Sequence, residues 1–378
     1  MGRRLARFLP VTLAAALTMG AAADEPRWVI QYFHDEDDSE LEIVDLQFPS
    51  PRHGIAVGTI AESRRRRHVA VVTSDGGRTW SEVSVKERPV SVFFLDESRG
   101  WMVTEGGLWQ TEESGRSWRK VKAPSGILRV YFLNAERGWA MGLKKSLHRT
   151  DDGGRTWSPV PEAAETSGKP EHSAYTWMSF VTPRVGLVVG TSRPPRRDRL
   201  WIPDWIDPEA AMRRREWPGT LLLLTTNNGG KSWEPSQASV FGEVTRLRLL
   251  GDGQGLGLME FRDAFIVPSE IMRIDLRTGR SSTSYRQRDR AVTDIALLPG
   301  GVAYAAAIER PGGIRVSAIP GKLRILHSNT DLNAWSEMQV DYRAFGHRAI
   351  LADAGSGNVW VATDTGMILM LVLPGQGR

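Results

Sequence analysis

Four carboxylate or carboxamide side chains stand at one fixed distance before a tryptophan, and they are the first residues here whose spacing could do chemistry. The segments are Thr73-Ser-Asp75-Gly-Gly77-Arg-Thr79-Trp80, Thr111-Glu-Glu113-Ser-Gly115-Arg-Ser117-Trp118, Thr150-Asp-Asp152-Gly-Gly154-Arg-Thr156-Trp157 and Thr226-Asn-Asn228-Gly-Gly230-Lys-Ser232-Trp233. An aspartate so placed could be a general acid or a metal ligand. Glu113 and Asn228, however, occupy the same place in two copies, which argues against a required proton donor. A structural role accounts for every position: the aspartate accepts backbone N–H groups, the glycine takes a positive φ, the Thr or Ser hydroxyl satisfies a nearby backbone group, and the tryptophan buries its ring between neighbouring sheets. Gly229-Gly-Lys-Ser232 is not a phosphate-binding loop, because Thr225 stands where that motif needs a glycine and a strand follows where it needs a helix.

The remaining charged groups fall into runs. Arg64, Arg65, Arg66 and Arg67 form one; Asp35-Glu-Asp-Asp38 forms another. A third region carries Arg196, Arg197, Arg199, Arg213, Arg214 and Arg215 among Trp201, Trp205 and Trp217. Arginine and tryptophan are enriched at protein-binding hot spots, so Arg64–Arg67 and the 193–217 segment are candidate partner-binding residues. A solvated loop, and tryptophans packing the segment onto the fold as a lid, are the plain alternatives. The acidic run could pair with the arginines or hold calcium, although it lacks a glycine-centred calcium loop. The histidines His34, His53, His68, His148, His172, His327 and His347 show no close metal-ligand spacing, so neither metal nor cofactor is expected.

The elements that position these groups follow from a second regularity. An aromatic or apolar residue is followed six positions later by glycine in Phe48/Gly54, Phe94/Gly100, Phe132/Gly138 and Phe180/Gly186, and again in Leu249/Gly255, Ile295/Gly301 and Leu351/Gly357. Runs such as Ser91-Val-Phe-Phe-Leu95 read as buried strands, a second strand starts at the glycine, a third leads into the Asp-containing turn, and the tryptophan opens a fourth. Four antiparallel strands in about 40 residues make a propeller blade. Seven such units predict an all-β, seven-bladed β-propeller over residues 24–378, with a long insertion at about 193–217 in the fourth blade. The last unit runs out of chain after three strands, and Trp28–Phe33 is expected to supply its fourth, closing the ring. The connection between strands two and three of each blade then shares one face with the blade-to-blade connection. Arg64–Arg67, the insertion and the acidic run are all expected on that face.

The N-terminus carries Arg3, Arg4 and Arg7, then an apolar stretch ending in Ala21-Ala22-Ala23, which reads as a secretory signal peptide over residues 1–23. Its apolar run is shorter than the roughly 20 residues that span a bilayer. Removing it takes three positive charges from a chain of formal charge +5, so nucleic-acid binding gains no support. With no cysteine, the exported chain has no disulfide, thiolate metal site or catalytic thiol. A periplasmic or extracellular location is expected.

Tyr131-Phe-Leu-Asn134, Gly138-Trp-Ala-Met-Gly142 and Thr150–Trp157 together resemble the repeat of the photosystem II assembly and stability factor family. The resemblance covers about residues 40 to 240 closely and the rest by blade pattern. It implies a non-enzymatic seven-bladed scaffold that binds a protein partner, a subunit of an assembling membrane complex. The departures are the loss of the turn motif after Trp233 and the long insertion. The same turn occurs in sialidases and two-propeller glucanases, which makes a glycan-processing or glycan-binding propeller the alternative. This chain has no Arg-Ile-Pro element of the kind sialidases carry, and length for one propeller. The glycan alternative predicts carboxylates and aromatics gathered at the central funnel.

Overall fold

The computed structural model describes residues 25–193, 218–261, 267–310 and 318–374. After strand β1 (Arg27–Phe33) the chain makes four-stranded antiparallel sheets in succession. They are β2–β5 (Ser39–Gln47, Gly54–Glu62, Arg66–Thr73, Ser81–Val85), β6–β9 (Pro89–Phe94, Gly100–Thr104, Gly107–Thr111, Arg119–Val121) and β10–β13 (Ile127–Phe132, Gly138–Gly142, Leu147–Thr150, Ser158–Pro159). Next come β14–β17 (Ser173–Phe180, Gly186–Ser192, Gly219–Thr226, Glu234–Val240) and β18–β21 (Glu243–Leu249, Gln254–Glu260, Ser269–Asp275, Arg280–Arg286). A nine-stranded sheet holds β22–β25 (Arg290–Leu297, Ala303–Glu309, Gly321–Ser328, Trp335–Val340), β26 (Phe345–Gly346), β27–β29 (Ala349–Asp353, Val359–Thr363, Met367–Val372) and β1. Among the described residues, helix is confined to α1 (Glu162–Glu165) and a single turn at Pro170–His172.

The first strands touch in a closed series, β2 to β6, β10, β14, β18, β22, β27 and back to β2, so the sheets stand around an axis. Burial follows from that geometry. Second strands such as β7 (Gly-Trp-Met-Val-Thr) and β11 (Gly-Trp-Ala-Met-Gly) are buried along their whole length, sandwiched between neighbouring sheets. An outer strand such as β17, with sequence Glu-Pro-Ser-Gln-Ala-Ser-Val, is exposed almost throughout. Between sheets, Trp360 stacks on Phe48 (4.4 Å, 12°) and Trp101 on Phe132 (3.7 Å, 9°), while the turn tryptophans Trp80 and Trp157 meet the same phenylalanines edge-on.

As expected, β1 lies antiparallel to β29, from Arg27 opposite Val372 to Phe33 opposite Met367. It also touches β25 through a short parallel pairing, Arg27–Trp28 with Gln339–Val340, which joins the last two arrays into one sheet. The register of those two arrays differs from the sequence expectation. Phe94 faces Gly100 across the first two strands of its sheet, whereas the equivalent pairs in the last two are Leu297/Ala303 and Asp353/Val359, not Ile295/Gly301 and Leu351/Gly357. Gly301 and Gly357 are turn residues with φ of 89° and 79°. The cause is steric: a Cβ on Gly100 would stand 2.7 Å from the Phe94 ring and one on Gly255 2.7 Å from Leu249 Cδ2, so glycine is required where the facing side chain lies over the strand start. Leu297 and Asp353 place no ring there, and Ala303 and Val359 fit.

Candidate functional site: a charged cavity on the axis

Each of the first six inner strands breaks register once, and the residue just past the break is Asp45, Ser91, Arg129, Trp177, Arg246 or Asp294 in turn. A β-bulge inserts a residue and re-aims its neighbours. These six lie nine residues before Gly54, Gly100, Gly138, Gly186, Gly255 and Ala303, one per sheet, and Ile350 takes the same place in β27. Five of them, with Arg248, Tyr131, Phe93, Ile350 and Asp353, line an axial cavity of about 310 Å³.

The two central carboxylates are built alike. Asp45 accepts N–H groups from Leu46 on its own strand and Val92 on the next sheet, and pairs with Arg129 at 3.3 Å. Asp294 accepts from Ile295 and from Leu351 on the next array, and pairs with Arg246 at 3.1 Å and Arg248 at 3.5 Å. Trp177 donates its indole N–H to Leu247 O at 2.9 Å. The guanidinium carbons of Arg129, Arg246 and Arg248 lie 5.0, 5.3 and 4.5 Å from its ring centroid. Such contacts favour cations at an aromatic face. Burial, opposed by Asp294 and aided by the neighbouring guanidiniums, lowers Arg248 to about 10.

The Asp-containing turns lie away from this cavity and are structural in their bonding. Asp75 Oδ1 accepts the N–H groups of Arg78 and Thr79 at 3.0 Å, and Oδ2 accepts the Thr79 hydroxyl at 2.6 Å. Thr73 Oγ1 accepts the N–H of Gly77, and Trp80 donates to Gly77 O. Asp152 repeats the pattern with Arg155 and Thr156, as does Asn228 with Lys231 and Ser232, its amide donating to the serine. The Glu113 carboxylate accepts the Ser117 hydroxyl. The Thr79 hydroxyl above all, with its N–H, lowers Asp75 to about 2, and Thr156 does the same for Asp152. Gly115, Gly154 and Gly230 hold positive φ in their turns as Gly77 does, and Trp118 and Trp157 donate to Gly115 O and Gly154 O as Trp80 does to Gly77 O. Trp233 instead packs edge-on against Trp139.

The arginine run divides. Arg64, Arg65 and Arg66 are exposed at the β3–β4 connection. Arg67 instead pairs with Glu36 (2.7 Å), Glu62 (3.3 Å) and Glu82 (2.7 Å), so part of the acidic run does meet the arginines. His34, Glu36 and Glu82 converge closely enough to surround a cation, and the Arg67 guanidinium already binds both glutamates. Arg196, Arg197, Trp201, Trp205, Arg213, Arg214, Arg215 and Trp217 lie outside the described residues, between the end of β15 and the start of β16. Sequence reading missed the axial residues, whose one signal is the constant nine-residue offset.

Radially packed antiparallel sheets around a charged axial cavity define a β-propeller. No family model and no curated relative matches the chain. Among solved structures it is similar to YCF48 from Cyanidioschyzon merolae, at 16% identity and a TM-score of 0.57 over 91% of this chain and 98% of that one. YCF48 bound to D1 peptide is similar at 16% identity and a TM-score of 0.56, over 91% and 99%. An ancestral GH74 enzyme is similar at 15% identity and a TM-score of 0.50, over 73% of this chain and 35% of that one. At such identities the likeness is one of fold, and a YCF48-like propeller is the fold the sequence resemblance implied. No helix among the described residues is long and apolar enough to cross a membrane.

Proposed function

We propose that this chain is an exported, non-enzymatic, seven-bladed propeller scaffold that binds a protein partner and assists assembly of a membrane complex. The observation that carries the non-enzymatic part is the engagement of Asp45 and Asp294: both oxygens of each accept backbone N–H groups, and each carboxylate is paired with arginine. Proton transfer needs a carboxyl group within reach of substrate. The lining adds Tyr131 and a third carboxylate, the exposed Asp353 that accepts the Gly355 N–H, but neither glutamate nor histidine. Reading the nine-stranded sheet as two blades, the second completed by β1, gives the seven. The Asp-containing turns then act as Asp-boxes that brace them, and residues 1–23 act as the export signal. A propeller of this fold bound to D1 peptide supports a proteinaceous partner.

Arg64, Arg65 and Arg66, with the 193–217 insertion, form the partner face. Affinity purification from the native envelope fraction tests it. A variant with Arg64, Arg65 and Arg66 changed to glutamine is expected to lose a membrane-complex subunit that the wild type recovers. Arg67 stays, because it neutralises three glutamates. Equal recovery by both proteins removes this face from the proposal.

The charged and aromatic cavity is the one observation that favours a glycan-processing propeller instead. Glycan hydrolysis abolished by Asp45→Asn or Asp294→Asn in an otherwise folded protein is the result that reading requires.

A further inference from the structure

The three part-buried arginines of the axial cavity outnumber the two buried carboxylates they pair with, a surplus that neither the fold nor the partner face uses. Three guanidiniums, Arg129, Arg246 and Arg248, face two carboxylates, Asp45 and Asp294. Asp353, also on the lining, is exposed and accepts the Gly355 N–H at 2.8 Å; nearby Arg348 pairs with Glu260 at 3.6 Å. Donors are in surplus as well. Arg129 makes its one hydrogen bond among the described residues to Asp45, and Arg248 makes a 3.4 Å bond to Leu247 O beside its ion pair with Asp294. A guanidinium offers five N–H donors, in a fork that matches a carboxylate. Like-charged groups crowded over one indole are costly to hold without a counter-ion.

We infer that the cavity binds a small organic carboxylate, held by the free donors of Arg129 and Arg248. One negative charge matches the surplus over Asp45 and Asp294, the third lining carboxylate, Asp353, standing exposed. The volume of about 310 Å³ sits at the small end of the roughly 300–1,000 Å³ typical of small-molecule sites and admits no folded element. Because guanidiniums already crowd Trp177, recognition comes from charge and hydrogen bonding and not from ring stacking. This site is separate from the exposed arginine face, and it stands or falls independently of the scaffold reading.

Isothermal titration calorimetry of the mature chain with acetate, lactate and D-glucuronate, against D-glucose and sodium sulfate at matched ionic strength, tests the inference. Saturable one-to-one binding is expected for at least one of the three carboxylates and for neither control. Arg248→Gln should weaken it by about tenfold or more, in line with loss of charged hydrogen bonds. Asp294 keeps Arg246 in that variant, and an unchanged urea midpoint verifies the fold. Arg280→Gln, on the exposed outer strand β21, should leave binding unchanged. No binding by any of the three carboxylates, equal binding by sulfate, or an affinity indifferent to Arg248→Gln overturns the inference. So does binding confined to a peptide with a free C-terminal carboxylate and lost on its amidation, which assigns the cavity to a macromolecular partner. Partner capture unchanged in Arg248→Gln keeps the two proposals distinguishable.

Discussion

Asp75 and Asp152 each tie a turn together through two N–H groups and two hydroxyls. Those donors favour the ionised form, which is why both groups titrate at about 2 in the folded chain. A carboxyl depressed in the folded state contributes stability that is complete above the unfolded value, near 4, and is lost as pH falls through about 2. Urea midpoints are therefore expected to decline between about pH 4 and pH 2 in part through these two residues. Asn228 shows that an amide keeps the Oδ1 bonds and still reaches Ser232. The double variant Asp75→Asn, Asp152→Asn should accordingly fold at neutral pH and show a shallower acid decline. An unchanged acid profile removes the turns as its source. The axial carboxylates differ in that each ties two strands and an arginine, so they act between sheets where the turn aspartates act within one.

At the scale of elements, the Asp-containing turn is also a packing device. A Cβ on Gly77 would run into the Trp360 ring of the neighbouring sheet, and φ there is 83°. Gly76, with φ of 75°, meets only Pro51 O at 3.2 Å. Gly76→Ala should cost about 1 kcal/mol through backbone strain, whereas Gly77→Ala adds displacement of a buried indole and should cost about 2–4 kcal/mol in urea unfolding. Equal losses would mean that the tryptophan shifts freely. The turn, its tryptophan and the Phe/Gly pairs were legible in the sequence because their constraints are local: a glycine under a ring, a hydroxyl beside an N–H. The axial cavity was not. Asp45, Arg129, Trp177, Arg246 and Asp294 lie on separate strands, have no single residue type in common, and meet only through the bulge that each inner strand carries. The register of the last two arrays was misread for the converse reason: where Leu297 and Asp353 replace phenylalanine, the glycine marking a strand start disappears and a turn glycine stands close by.

The whole molecule depends on joining its two ends, because the chain has no cysteine to staple the ring. β1 makes that join beside β29, across almost the entire described length of the chain. Its Trp28 is 1% exposed and meets Tyr304 edge-on at 6.0 Å, so it packs β1 against the neighbouring array as well. Backbone pairing and side-chain burial can be separated experimentally. Trp28→Ala keeps the ladder and removes the ring, at an expected cost of about 3–5 kcal/mol with the protein still monomeric. Deleting residues 25–33 removes the ladder too, leaving the outer edge of β29 unpaired and β25 without its parallel neighbour. An open edge recruits other chains. The deletion should therefore elute as oligomers in size-exclusion chromatography and lose hydrogen-exchange protection along Met367–Val372, while the amides of β10–β17, on the far side of the ring, exchange more nearly as before. A monomeric deletion with β29 still protected would show that the remaining sheets hold the ring without the terminal strand.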